Sequence, residues 1–150
     1  MKKVTVVCVG KLKEQYLKDG INEYLKRLSR YAKVEIKELS DYATDDDTCI
    51  EKESSLILSS LKGFVITLDI GGKQLTSEEL AQNIDKAFIT NSEITFVIGG
   101  SKGFDDRVRK KSNLTLSFGK VTFPHQLVRL MLFEQIYRSF SITEGTPYHK

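Results

Sequence analysis

Residues 94–103 read ITFVIGGSKG, a run of apolar and β-branched residues followed by two adjacent glycines. The same pattern occurs in residues 64–73, FVITLDIGGK, and a similar run that ends in a single glycine occurs in residues 4–10, VTVVCVG. These runs are apolar at consecutive positions instead of alternate ones, which is typical of strands buried on both faces of a sheet. They predict three inner strands of a parallel sheet, each ending at a glycine.

The segments around these runs predict the remaining elements. In chain order they are a helix around 17–28, a half-exposed strand over 34–39, an acidic loop over 41–47, a helix from Asp47 or Thr48 to about 61, a helix from Thr76 or Ser77, a basic helix over 105–111, a strand over 114–118 and a last helix from Pro124 to about 144. Alternating strands and helices indicate an α/β fold. We expect one domain over residues 1–150, with a mostly parallel sheet and helices on both faces.

Composition limits the class of protein. The 150 residues include 23 Lys and Arg against 20 Asp and Glu, so the net charge is only +3, too small to prove a nucleic-acid partner, although the isoelectric point of about 8.8 favours one. No apolar run approaches the roughly 20 residues that span a bilayer. The two cysteines and two histidines lack the spacing of a zinc site. We expect a cytoplasmic protein with no membrane partner and no metal.

The last helix has almost no polar face in its first half. Its apolar residues there are Leu127, Val128, Leu130, Met131, Leu132 and Phe133. A helix that is apolar nearly all round is buried on all sides, and a small domain cannot cover such a helix completely. The pattern therefore predicts a homodimer, with this helix at the interface.

Three glycine-bearing segments predict the candidate site. Residues 68–73, 98–103 and 118–123 all follow strands, so they meet at the carboxyl edge of a parallel sheet, where ligands bind. Their glycines allow the backbone to approach a ligand closely. Neither the dinucleotide fingerprint nor the GxxxxGK[ST] phosphate loop is present. We expect a cofactor held largely by backbone groups.

Charged residues on the last helix are further candidates. His125 lies in its first turn, where the helix dipole favours a neutral imidazole that can accept a proton, although it could equally cap or pack the helix entry. Arg129 and Arg138 are unusual on so apolar a helix. The alternative for both is an ion pair with Glu134 or a position at the rim of the dimer interface.

The C-terminal residues 145–150, GTPYHK, allow two interpretations. Chain ends are disordered by default. Tyr148 and His149 could instead stack on an unpaired base, with Lys150 on a phosphate. Lysines and arginines at 102 and 107–111 and on the first helix are candidate phosphate contacts, or a solvated surface.

Six motifs together resemble one known family. They are VTVVCVGKLK at 4–13, TLDIGGK at 67–73, FVIGGSKG at 96–103, TFPHQLVR at 122–129, EQIYR at 134–138 and the terminal YHK at 148–150. They resemble the RlmH family of bacterial ribosomal-RNA large-subunit methyltransferases, which belongs to the SPOUT superfamily. The resemblance extends over nearly the whole chain and is most specific after residue 64.

The resemblance implies a homodimer with a deep trefoil knot that uses S-adenosylmethionine to methylate N3 of a pseudouridine in 23S rRNA on the assembled ribosome. Its cofactor contacts correspond to Leu68, Gly100, Phe118, Gly119, Lys120, Val121, Thr122 and Phe123. It implies catalytic roles for His125, Arg138 and His149 and RNA contacts for Arg129, Tyr148 and Lys150. It also makes the C-terminal tail part of the site.

Two questions stay open at this point. Methyl transfer from a sulfonium needs no metal, and either His125 or His149 could remove the proton from N3. Two other functions also fit: a non-catalytic RNA-binding or ribosome-binding module with the same fold, and a related methyltransferase that acts on tRNA.

Overall fold

The computed structural model describes residues 1–42 and 48–150. The strands there are β1 (Lys3–Val9), β2 (Lys33–Leu39), β3 (Phe64–Lys73), β4 (Glu93–Ile98) and β5 (Leu114–Leu116). The helices are α1 (Gln15–Leu28), α2 (Thr48–Leu58), α3 (Ser77–Thr90), α4 (Asp106–Lys111) and α5 (His125–Glu144).

The strands of the described chain form one five-stranded sheet in the order β2-β1-β4-β3-β5, and every pairing is parallel. The three runs that predicted inner strands are the three central ones. Edge strand β2 alternates between more and less exposed residues, as its alternating sequence predicted. The predicted α/β fold with a parallel sheet is confirmed.

Helices cover both faces of the sheet. Val4, Val6 and Cys8 of β1 belong to a core cluster with residues of α1, α3 and α5. Val7 and Val9 alternate to the other face, where they pack with residues of α2 and α4. The larger cluster contains most of the buried residues of α5, so this helix is anchored over the middle of the sheet.

Strand β3 differs from its prediction. It continues through Gly71 and Gly72 to Lys73. A Cβ at Gly72 would lie 2.7 Å from the carbonyl oxygen of Thr115. The glycine therefore permits close approach of β5 to β3, where a turn was expected. The β3–β5 register shifts between Leu68 and Lys73.

The helix boundaries agree with prediction within a few residues. Helix α3 begins with the expected capping box, in which Thr76 Oγ1 accepts from the Glu79 N–H and Glu79 accepts from the Thr76 N–H. Helix α2 ends three residues early, at Leu58. Pro124 precedes α5 as its N-cap. Most of the predicted acidic loop and the predicted cap at Asp47 lie outside the described residues.

Helix α5 is only partly covered by its own chain. Leu132, Phe133 and Ile136 are fully buried, whereas Val128 and Met131 keep part of their surface exposed. Within residues 1–42 and 48–150, no helix combines the length and apolar character that a membrane span needs.

Candidate active site

A cleft of about 350 Å³ opens at the carboxyl ends of β3, β4 and β5. All three glycine-bearing segments contribute to its wall, and its volume lies within the range of small-molecule sites. Seven of the eight predicted cofactor residues line it: Leu68, Gly100, Phe118, Gly119, Val121, Thr122 and Phe123. The eighth, Lys120, is exposed and lies outside the lining.

Glycines are required in this wall. A Cβ at Gly99 would lie 2.9 Å from the backbone of Gly103, and one at Gly100 would lie 2.7 Å from Glu53 Oε1. Gly119 has φ of +129°, a conformation that side chains disfavour. The segments therefore present bare backbone to the cleft beside the apolar side chains of Leu68 and Phe118. Such a wall suits a flat, partly apolar ligand with several hydrogen-bonding atoms.

His125 lines the same cleft from the first turn of α5. Its burial and the nearby charge of Arg129 lower the pKa of His125, while Asp41 acts in the opposite direction. The imidazole is therefore neutral near pH 7 and able to accept a proton.

Arg129 is buried, with 1% of its surface exposed. Its guanidinium donates to Glu38 at 2.6 Å and to the carbonyl of Gly10 at 3.2 Å. The predicted ion pair of Arg129 with Glu134 is therefore wrong. The pair with Glu38 joins α5 to β2, and a buried guanidinium offers no surface on which RNA could lie, so the predicted RNA contact of Arg129 finds no support in this geometry.

Glu134 is the partner of Arg138, one helical turn later. Their closest contact is 2.6 Å, from the Arg138 terminal nitrogen to Glu134 Oε2. Burial opposes ionisation of Glu134, but hydrogen bonds from Arg138 and Tyr148 hold its pKa below the usual value. The carboxylate is therefore charged at neutral pH and fixes one edge of the guanidinium.

The C-terminal tail folds back onto the domain. Gly145, at φ +73°, ends α5 in a left-handed conformation and turns the chain. Tyr148 donates to Glu134 Oε2 at 2.7 Å and its ring lies under the Arg138 guanidinium. Burial and hydrogen bonds to Tyr24 and Glu134 raise the pKa of the Tyr148 hydroxyl. The tail is thus attached to the helices, whereas Lys150 at its end is exposed.

His149 completes a group that we call the tail cluster: Glu78, Glu134, Arg138, Tyr148 and His149. One ring nitrogen of His149 contacts Arg138 at 2.9 Å and the other contacts Glu78 at 2.7 Å. A second cleft, of about 530 Å³, leads from Phe118 to Glu134 and shares part of its wall with the first. Of the tail cluster, only Glu134 lines this second cleft, so the cluster borders the far end of the surface through that residue.

Some residues near the site were missed in the sequence. Asp69 accepts from Arg109 at 2.9 Å at the rim of the first cleft, so Arg109 is held by carboxylates and is not simply a phosphate contact. Glu53 is buried behind Gly100, and burial raises its pKa. The Glu134–Arg138 ion pair, by contrast, was one of the two alternatives predicted for Arg138, and helical spacing accounts for it. Nothing in the sequence marks Glu53 or Glu78.

In the part of the chain that the structure describes, no group of three or more His, Cys, Asp or Glu side chains is placed to hold a metal ion.

Comparison with known proteins agrees with this arrangement. A family model described as "Predicted SPOUT methyltransferase" matches residues 2–149. The chain is 53% identical to the ribosomal RNA large subunit methyltransferase H of Clostridium botulinum (strain Alaska E43 / Type E3), over 98% of this chain and 99% of that protein. It is 50% identical to the protein of the same name from Streptococcus uberis, over 99% of each.

A solved structure shares the fold. The tRNA (m1G37) methyltransferase from Aquifex aeolicus is similar with a TM-score of 0.55 and 16% identity, over 91% of this chain and 70% of that one. The resemblance drawn from the six motifs is confirmed. A family model that covers nearly every residue, together with relatives about half identical over their full length, shows that this chain belongs to the SPOUT methyltransferase family.

Proposed function

We propose that this protein methylates N3 of a pseudouridine in 23S rRNA, on the assembled ribosome, with S-adenosylmethionine as methyl donor. The observation that carries the proposal is the cleft itself. Three glycine-bearing segments and His125 surround it, and an adjoining cleft reaches Glu134 of the tail cluster.

The residues of the first cleft fit S-adenosylmethionine. Leu68 and Phe118 offer apolar walls to an adenine ring, and the backbone around Gly100 and Gly119 offers donors and acceptors to its edge. When bound, this cofactor supplies a methyl group already activated by a sulfonium. The protein must therefore hold the acceptor atom about 3–3.5 Å from the methyl group and accept one proton from the acceptor base.

His125 is the better candidate for the base that accepts the N3 proton. It lines the cofactor cleft and its lowered pKa keeps it neutral. Both ring nitrogens of His149 are already engaged, by Arg138 and Glu78. We assign Arg138 and Lys150 to the negative charge that develops on an oxygen of the acceptor base, and Tyr148 to contact with the RNA.

The names of the two relatives support the choice of RNA, since both refer to the large-subunit ribosomal RNA. We further propose that the protein works in the cytoplasm as a homodimer with a trefoil knot. A net charge of +3 per chain is small for generic RNA binding. Recognition therefore depends on two subunits and on the shape of the ribosome.

Transfer of labelled methyl groups tests this substrate. Purified ribosomes, protein-free 23S rRNA and bulk tRNA are incubated in parallel with enzyme and labelled S-adenosylmethionine. We expect label in the large-subunit rRNA of ribosomes and much less in protein-free rRNA. Label in tRNA would contradict the substrate, and absence of both label and cofactor binding would favour the non-catalytic binding module.

Single-site variants test the base. We expect His125→Asn to lower turnover about 100-fold at saturating RNA, a typical loss for a general base. The matched variant His149→Asn keeps a hydrogen-bonding side chain in the tail cluster and should lower turnover less. Near-normal turnover of His125→Asn would contradict the assignment.

A further inference from the structure

The hydrogen bonds that His149 makes in the tail cluster are compatible with only one protonation state of its ring. The terminal nitrogen of Arg138 lies 2.9 Å from His149 Nδ1. A guanidinium can only donate, so Nδ1 must accept and carries no proton. The remaining ring nitrogen, Nε2, therefore carries the proton of the neutral ring and donates it to Glu78 Oε1 at 2.7 Å.

This arrangement of donors and acceptors helps to fix the orientation of the Arg138 guanidinium. Glu134 takes the Nε–H and one terminal N–H of the guanidinium, and His149 takes a third N–H. A guanidinium has five N–H donors, so two remain to meet an oxygen of an acceptor base. Their direction is set from one side by Glu134 and from the other by His149.

We propose that Glu78 is a positioning residue for the methyl transfer: by accepting the Nε2 proton of His149, it keeps Nδ1 as an acceptor and so holds the Arg138 guanidinium in its working orientation. The catalytic part of this inference rests on the proposed function. The part that concerns the tautomer of His149 does not.

The location of Glu78 suits this task. It lies in the first turn of α3, which the capping box holds firmly. The hydrogen bonds from His149 and from its own backbone N–H lower the pKa of Glu78, so it is a charged acceptor at neutral pH. It is the contact through which α3 meets His149, since the other ring contact comes from α5.

The neighbouring Glu79 provides a matched control. Its carboxylate accepts from the Thr76 N–H within the capping box. Glu79→Ala therefore weakens the start of α3 while leaving Glu78 in place. Glu78→Ala removes the contact with His149 while leaving the capping box in place, and Glu78→Gln keeps an oxygen that can accept from Nε2.

Two measurements on these variants test the proposal. Long-range proton–nitrogen NMR correlations report which ring nitrogen of His149 is protonated, with His125→Asn used for assignment. We expect the Nε2–H form in the wild type and in Glu78→Gln and Glu79→Ala. In Glu78→Ala we expect a mixture of forms, because a ring that Glu78 no longer holds at Nε2 can turn away from Arg138. For methyl transfer, we expect Glu78→Ala to lower kcat about tenfold, as for the loss of one hydrogen bond to a charged group, with unchanged affinity for S-adenosylmethionine, and Glu78→Gln to restore it.

Several results would overturn the inference. They are a wild-type His149 protonated on Nδ1, an unchanged tautomer in Glu78→Ala, or an equal loss of kcat in Glu78→Ala and Glu79→Ala. The NMR measurement needs neither RNA nor cofactor. It therefore tests the tautomer of His149 even if the proposed function is wrong. A confirmed tautomer with no methyl transfer by the wild type would contradict the proposed function.

Discussion

The pair formed by Arg129 and Glu38 is asymmetric in its burial. Arg129 has 2% of its side chain exposed, whereas Glu38 has 36%. Removing the carboxylate would leave a charge buried without its partner, while removing the guanidinium would leave a carboxylate that water can reach. We therefore expect Glu38→Ala to cost about 3 kcal/mol of unfolding free energy and Arg129→Met clearly less.

Urea denaturation of the two variants measures this difference. The Glu38→Ala variant also loses the acceptor of the Leu12 N–H, which adds to its cost. An Arg129→Met variant that is destabilised as much as Glu38→Ala would contradict the view that burial of the guanidinium decides the energetics.

The pH dependence of activity tests the environment of His125. Only the neutral imidazole accepts a proton, so activity requires a pH above the pKa of His125. Because burial and Arg129 lower that pKa from its usual 6.5, the acid limb of kcat/KM should have its midpoint below pH 6.5. Asp41 raises the pKa, so Asp41→Asn should move the limb to still lower pH. A shift to higher pH would contradict this electrostatic account.

Contacts between residues close together in the sequence could be predicted from local spacing. Contacts between residues far apart in the sequence could not. Glu134 and Arg138 are four residues apart on one helix, so their pairing follows from helix geometry. Glu38 is 91 residues from Arg129, on a strand, and pairing at that range depends on the sheet order. The same holds for Glu78 and His149, which are 71 residues apart.

At the level of elements, the surroundings of each glycine predict that alanine substitutions weaken binding of S-adenosylmethionine to different extents. At Gly119 the cost is backbone strain, because φ is +129° and no atom lies within 4 Å of the added Cβ. We expect Gly119→Ala to weaken binding of S-adenosylmethionine roughly fivefold, equivalent to about 1 kcal/mol of strain. Gly99→Ala should weaken it more, since the new Cβ meets the backbone of Gly103 at 2.9 Å and backbone cannot move aside as a side chain can.

Gly71→Ala is the matched control for both variants. Gly71 lies at the same edge of the sheet, but a Cβ there meets nothing within 4 Å and its φ is not positive. Isothermal titration calorimetry compares the three variants with the wild type. Equal losses of affinity in all three would contradict the role assigned to the backbone of the cleft.

The elements themselves were largely predictable because each has a local signal. The 3.6-residue spacing of apolar side chains marked α1 and α3, and the capping box marked the start of α3. The extension of β3 through Gly71 and Gly72 had no such signal, because two glycines after a strand usually indicate a turn. Its cause is the close approach of Thr115 on β5, a tertiary contact.

At the level of the whole molecule, the partly covered face of α5 predicts association. Val128, Leu130 and Met131 remain partly exposed on a single chain. Sedimentation should give about twice the chain mass of 17.0 kDa at micromolar concentration. Met131→Glu, which places a charge on that face, should shift the protein to monomers that keep the fold and lose turnover. A fully active wild-type monomer would contradict this prediction.

The α/β class followed from the sequence, but the arrangement of the molecule did not. The order β2-β1-β4-β3-β5 places β1 beside β4, strands about 90 residues apart in the chain. Apolar periodicity says which face of an element is buried, yet it does not say which element covers it. The meeting of the tail with α1, α3 and α5 depends on that arrangement.

The identity of the methylated nucleoside is the decisive test of the proposed substrate. Ribosomes incubated with the protein and S-adenosylmethionine are separated into subunits, and the 23S rRNA is digested and examined by mass spectrometry. We expect one new N3-methylated pseudouridine in that rRNA, formed with the wild type and strongly reduced with His125→Asn. A different methylated nucleoside, or methyl groups found only in other RNAs, would contradict it.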